Sequence, residues 1–405
     1  MTEVSPYRVA KHNAIVLFGA QAVVGAGQPI VLSMGGLAGA YLLGADKSLA
    51  TAPITAFTLG TAFSAIPAAM LMRWVGRRRG FISGAGATGL GAMIAAIALF
   101  QNHFWLFALG LLIIGGGSAF LQQYRFAAAD GAPSDFRPKA ISWVMMGGIF
   151  AAVIGPQLVI HTREMFEPVM FAGSFVAIIG LAVVGALILS FLRPTERRGS
   201  DGTPQVKELA RPLVEIMTQQ RFITAIVCGI SSFALMNFVM VGAPLAMIGC
   251  GFSPNEAALG ISWHMIAMYA PSFLTGHLIA RFGKDKMIAV GLLLLMSAGV
   301  VGLSGLELWQ FWLALILLGI GWNFSFISAT AMVADCYRPS EKNKVEGFHD
   351  FLLFSIVSFG SLMSGRVYNA FGWEMLNWII FPIAGLSLLL LALNAARTAA
   401  AQSRA

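Results

Sequence analysis

Residues Arg73 to Gly80 read R-W-V-G-R-R-R-G, four arginines and two glycines set between two long apolar runs. A related stretch returns at Gly276 to Lys286 as G-H-L-I-A-R-F-G-K-D-K. Gly283 of its R-F-G-K core stands 207 positions after Gly76 of W-V-G-R. The offset recurs: Asp130, closing F-A-A-A-D, and Asp335, closing M-V-A-D, are 205 apart, as are Lys139 and Lys344. One half of the chain therefore reads as a copy of the other, which bears on the fold before any local element is considered.

The 405 residues are 58% hydrophobic and only 11% charged, whereas about a quarter of an average globular protein is charged. Mean hydropathy is +0.78. Uncharged runs of about 20 residues, the length that crosses a bilayer as a helix, recur along the whole chain. Lipid is thus the main solvent, and an all-α fold follows because a helix satisfies its own backbone there. The net charge of +8 does not indicate nucleic acid, since the basic residues sit in short clusters between apolar runs rather than along one soluble face. Cys228, Cys250 and Cys336 are scattered, with neither C-x-x-C spacing nor partner histidines, so no disulfide framework, metal site or cofactor is expected. Twelve polar residues precede a long first apolar run, which reads as a retained span rather than a cleaved signal peptide.

Spans are expected at about 13–40, 49–72, 81–100, 104–124, 140–160 and 169–192. After a polar linker they follow at 222–249, 256–280, 287–306, 309–334, 345–369 and 375–396. Residues 1–192 then form an N-terminal six-helix bundle, 193–220 a cytoplasmic linker, and 221–405 a C-terminal bundle. Val206, Leu209, Leu213, Ile216 and Met217 recur at helical spacing in the linker and predict a surface amphipathic helix. With both termini cytoplasmic, 23 of the 26 Lys and Arg fall on the cytoplasmic side, leaving Lys47, Arg163 and Arg366 outside. Adding or removing one span scrambles that asymmetry, so the positive-inside rule supports twelve.

Six helices, a central linker and six more, with a G-[RK]-[RK] loop between the second and third spans of each half, resemble the major facilitator superfamily over the full chain. The resemblance implies a solute site near the midplane between two halves that expose it alternately. The loop signature G-x-x-x-D-R-x-G-R-R is matched by Gly76, Arg77 and Arg78, while Arg73 replaces its acid and Ala69 its first glycine. In the second copy Gly276, Arg281, Gly283 and Lys284 fit and Ala280 replaces the acid. In the family that acid latches the cytoplasmic side against the eleventh helix, where Glu346, His349 and Asp350 share one helical face. A gate in which Arg73 or Arg77 pairs with Glu346 or Asp350 is one reading. The other is two solvated loop ends, with the acids favoured by the helix dipole alone.

Gly147, Gly148, Gly155 and Pro156 on the fifth span resemble part of the signature of the family's drug and proton antiporters, but Val159 and Ile160 replace its trailing glycines and Leu112 its fourth-span arginine. Bending of a tightly packed helix explains the same residues. By family position, solute-facing candidates are Gln21, Gln28, Gln122, Arg125, Asn237, Trp263, His264, Trp322 and Asn323, a lining of amides and indoles suited to a neutral, partly aromatic solute. Arg125 is either an interfacial anchor or a charge turned into the cavity. His264, His349 and Asp350 are the candidates for carrying a proton.

The stretches Q-Q-Y-R-F-A-A-A-D and A-I-S-W-V-M-x-G-G are similar to a group of bacterial permeases that includes riboflavin importers. The expected function is secondary active or facilitative transport of a small organic solute across the bacterial inner membrane by a monomer. Proton-coupled efflux is an alternative, and a non-transporting sensor on the same fold is another. No Walker sequence is present. No nucleophile, base and orienting acid can be grouped, so catalysis is not expected.

Overall fold

The computed structural model of the protein describes residues 6–129, 132, 133, 136–193, 211–338 and 341–402, and every regular element among them is a helix. Asp130, Val206 and Leu209 lie outside the described residues, so the expected linker helix is seen only in its last part, α9 (Leu213–Met217). Before it run α1 (Pro6–Val24), α2 (Gly27–Leu43), α3 (Ala52–Val75), α4 (Arg77–Phe100), α5 (Phe104–Leu121), α6 (Tyr124–Ala129), α7 (Arg137–Thr162) and α8 (Ala172–Ser190). After it run α10 (Gln220–Gly249), α11 (Pro254–Tyr269), α12 (Ser272–Phe282), α13 (Lys284–Leu303), α14 (Leu308–Ala334), α15 (Lys342–Trp378) and α16 (Ile380–Gln402).

Among the described residues, ten stretches are long and apolar enough to cross a bilayer. The longest of them, Phe348–Arg397, is interrupted at Gly372, where φ is 77° and ψ −173°, and so holds two spans. α11 and α12, of 16 and 11 residues, are each too short to cross alone and together supply one more. With these the count agrees with twelve. The expected first span is likewise two helices, α1 and α2, and the expected fourth continues past residue 124 as α6.

The basic stretch marks a sharp elbow in each repeat. Gly76 ends α3 and starts α4 with φ 84° and ψ 160°, and Gly283 does the same between α12 and α13 with φ 86° and ψ 158°. This region of backbone space is open only to glycine without strain.

Small residues set the helix spacing. A Cβ on Gly115 would overlap the Phe57 carbonyl and one on Gly60 the Leu112 carbonyl, so α3 and α5 touch backbone to backbone. Gly91 with Gly110 does the same for α4 and α5, and Gly291 with Gly321 for α13 and α14 in the second copy. Large apolar side chains such as Phe63, Ile66, Leu187, Val300 and Leu386 are exposed. In a bilayer that surface is the lipid-facing one, where apolar exposure costs nothing.

Candidate functional site

The spans before and after the linker meet along particular helix ends. Thr51 Oγ1 donates to the Leu362 carbonyl at 3.4 Å, Thr58 Oγ1 lies 3.1 Å from Ser358 Oγ, and Ser262 Oγ donates to the Ala152 carbonyl at 2.6 Å. Gly36 packs on Leu245, and Gly148 on the ring of Tyr269. Apart from that of Gly148 with Tyr269, which lies near the middle of both spans, these contacts use the start of α3, the end of α10, the later parts of α2 and α7, the first half of α11 and the Gly372-proximal half of α15. Those lie on the side opposite the Arg73–Gly80 and Gly276–Lys286 loops, so the halves close there.

On the loop side the two acids of α15 have partners close by in sequence. Arg73 is exposed and makes no ion pair among the described residues. Glu346 accepts from the Tyr337 hydroxyl at 2.7 Å, and Asp350 pairs with His349 Nδ1 at 3.0 Å. Burial and the hydrogen bond to Glu346 push the Tyr337 hydroxyl well above the usual phenol range. Arg125 on α6 is exposed and its guanidinium lies 4.8 Å from the centre of the Phe126 ring. It is near enough to Tyr269 of α11 and to Asp350 and Glu346 of α15 to interact with them electrostatically, but forms no ion pair with either acid among the described residues. Nothing in the sequence repeat pointed to that proximity.

A fully buried carboxylate ties the linker's end to the loop before α15. Glu341 accepts from Arg211 Nε at 2.9 Å and Nη2 at 2.8 Å, and from the backbone N–H groups of Arg211 and Arg338 at 2.8 and 2.9 Å. Arg211 also donates to the Cys336 carbonyl. The Arg211 hydrogen bonds, joined by those from the two backbone N–H groups, hold this carboxyl far below the usual carboxylate range despite its burial.

The amide and ring candidates separate into two sets. His264 is wholly buried and its Nδ1 meets the Leu315 carbonyl of α14 at 2.7 Å. Asn323, also wholly buried, donates from Nδ2 to the Met268 carbonyl and to Ser272 Oγ, both at 2.7 Å, and accepts from Thr275 Oγ1. Those groups flank the break between α11 and α12 at Ala270 and Pro271, so Asn323 supplies partners to backbone that the break leaves open. Trp263 is 46% exposed on the far side of α11 from that packing. Gln21 lies along Gly147, Gln28 Nε2 donates to Ser118 Oγ at 3.4 Å, and Gln122 caps α5 with an exposed side chain.

Three of the candidates keep a buried side-chain nitrogen without a hydrogen-bond partner among the described residues: the Asn237 amide N, the Trp322 indole N and His264 Nε2. Around the first two is an aromatic group that the sequence reading did not single out. Phe233 meets Trp322, Phe326 and Phe354 edge-on at ring-centroid distances of 5.5, 5.1 and 6.4 Å. Trp322 and Phe326 lie nearly parallel, 5.2 Å apart, and Phe326 approaches His349 at 6.5 Å. Helical spacing could have shown it: Phe233 is one turn before Asn237 and Phe326 one turn after Trp322.

The sequence matches the Major Facilitator Superfamily over residues 14–249 and again over 225–405, so the family pattern is itself found twice. A protein of Brucella anthropi named riboflavin transporter RfnT is 46% identical over 385 residues, covering 95% of this chain and 96% of its own. The uncharacterized MFS-type transporter YddS of Bacillus subtilis is 32% identical over 384 residues, covering 91% and 87%. Among solved structures, the POT family transporter PepTSo superposes with a TM-score of 0.70 at 13% identity over 98% of this chain and 99% of that one, a likeness of fold alone. A helical membrane protein with two matches to one family and relatives aligned end to end is a transporter, not an enzyme, and the chain belongs to the Major Facilitator Superfamily.

Proposed function

We propose that the protein imports riboflavin or a closely similar flat, neutral vitamin across the bacterial inner membrane, working as a monomer with both termini cytoplasmic. The observation that carries this reading is the 46% identity, over 95% of the chain, to a protein named for riboflavin transport. Residues 1–192 and 221–405 act as two bundles joined by the linker, and the solute enters between them. Contacts on the side away from the basic loops then correspond to closure at the outer face, and the accessible Arg125 to a mouth open inward. His349, buried and hydrogen-bonded to exposed Asp350, is the group we assign to proton coupling. His264, enclosed between α11 and α14, is assigned to packing.

Expression in a bacterium that can neither make riboflavin nor take it up should restore growth on micromolar riboflavin, with accumulation of labelled vitamin. Failure to grow or accumulate, with the protein present in the membrane, sinks the reading. Raised resistance to dyes or drugs without riboflavin uptake would point to efflux instead.

A further inference from the structure

We propose that Phe233, Trp322 and Phe326, with the Asn237 amide, form the seat for the solute's conjugated ring, and that the Asn237 and Trp322 N–H groups bind carbonyl oxygens on its edge. The proposal rests on the reading of the protein as a riboflavin importer and deepens it by naming the part of the solute recognised here.

The geometry carries it in three steps. First, the rings come from two helices that run antiparallel, α10 and α14, so depth can be compared along them. Going from Phe233 to Asn237 on α10 moves one turn away from the basic loops, and going from Phe326 to Trp322 on α14 moves one turn the same way. Asn237 and Trp322 therefore stand at one level, directly beyond the Phe233–Phe326 pair.

Second, both donors are orphaned. Asn237 is 4% exposed and its amide nitrogen has no partner among the described residues, nor does the Trp322 indole nitrogen. A buried N–H left without an acceptor is destabilising, and two of them at one level are a cost that a ligand with carbonyl acceptors removes. Of the hydroxyls on the neighbouring turns, Ser364 Oγ donates to the Phe238 carbonyl and those of Ser232 and Ser325 bond to each other, while Ser328 Oγ and Ser361 Oγ are buried without a partner among the described residues.

Third, the rings are only half-buried and present both an edge and a face. Phe233 stands across Trp322 and Phe326, while those two lie 16° from parallel. A flat heterocycle can stack on such a surface, and a sugar alcohol gains little from it. The ligand class is a planar, uncharged heterocycle bearing two ring carbonyls on either side of a ring N–H, with its polar tail outside this seat.

The test uses the purified full-length protein and the fluorescence of riboflavin itself, which stacking on Trp322 quenches. Riboflavin should bind with quenching, lumichrome, which keeps the ring and lacks the tail, should compete, and ribitol should not. Asn237→Leu and Phe326→Leu should each weaken binding at least tenfold, and Trp322→Phe, which keeps a ring and removes the N–H, several-fold. Each variant is compared with the parent by its unfolding midpoint, so that loss of fold is separated from loss of binding. If the parent binds riboflavin and all three variants bind it unchanged, or if ribitol competes and lumichrome does not, the seat is elsewhere. Should the parent fail to bind riboflavin, the vitamin reading falls. The seat is then judged by a thermal-shift panel of planar heterocycles: a shift abolished in Asn237→Leu upholds it, and no shift with any of them overturns it.

Discussion

Glu341 shows how one side chain can fix a loop. Its carboxylate collects two side-chain and two backbone donors, including the bidentate fork of Arg211. Because its folded pKa is depressed, its contribution to stability is present above the ordinary carboxylate pKa and is lost as pH falls through the folded value. Glu341→Gln should therefore lower the unfolding midpoint, with a difference from the parent that stays constant from pH 8 to 6 and shrinks below about pH 4. A difference that persists undiminished in acid would show that something other than the charge is responsible. The sequence gives no hint of this pair, since Arg211 and Glu341 are far apart in the chain and look like ordinary loop charges. His264 and Asn323 were legible as polar residues inside spans, but which carbonyl each one meets depends on the neighbouring helix. Polarity could be read; its partner could not.

At the scale of elements, the apolar runs located the spans well because twenty uncharged residues in a row have few other uses. What the runs hide is where a span breaks. Gly25 and Ala26, and Ala270 and Pro271, each interrupt a stretch that stays uncharged on both sides, so hydropathy continues across them, whereas the break at Gly372 lies among Arg366, Asn369 and Glu374 and falls between two expected spans. The break at Ala270 is repaired from another helix, by Asn323. Asn323→Ala would leave Thr275, Ser272 and the Met268 carbonyl without that partner, and the expected cost is about 2 kcal/mol, read as a lowered unfolding midpoint. An unchanged midpoint would mean that the α11–α12 junction is held by packing alone. Trp322, beside Asn323 in sequence, points to the aromatic group of Phe233 and Phe326 instead.

Across the whole molecule, closure on one side only is the feature that alternating exposure requires, and it gives a direct test of motion. Thr58 and Ser358 face each other with their hydroxyl oxygens 3.1 Å apart. With Cys228, Cys250 and Cys336 replaced by serine, a Thr58→Cys, Ser358→Cys pair should form a disulfide under oxidation that stops uptake, and reduction should restore it. Uptake that continues with the bridge intact would show that these helices need not part. The duplicated plan of the chain was visible in the basic stretches, while the side on which it closes was not, because closure depends on contacts between residues some 300 positions apart, as at Thr58 and Ser358.

The elbows at Gly76 and Gly283 show what the duplication has kept. Their dihedral angles agree to within 2° in both φ and ψ across 207 positions, yet Arg73 in one copy corresponds to Ala280 in the other. What is inherited at this loop is a direction of travel for the chain, and the charges beside it are free to diverge as long as the turn between two helices is preserved.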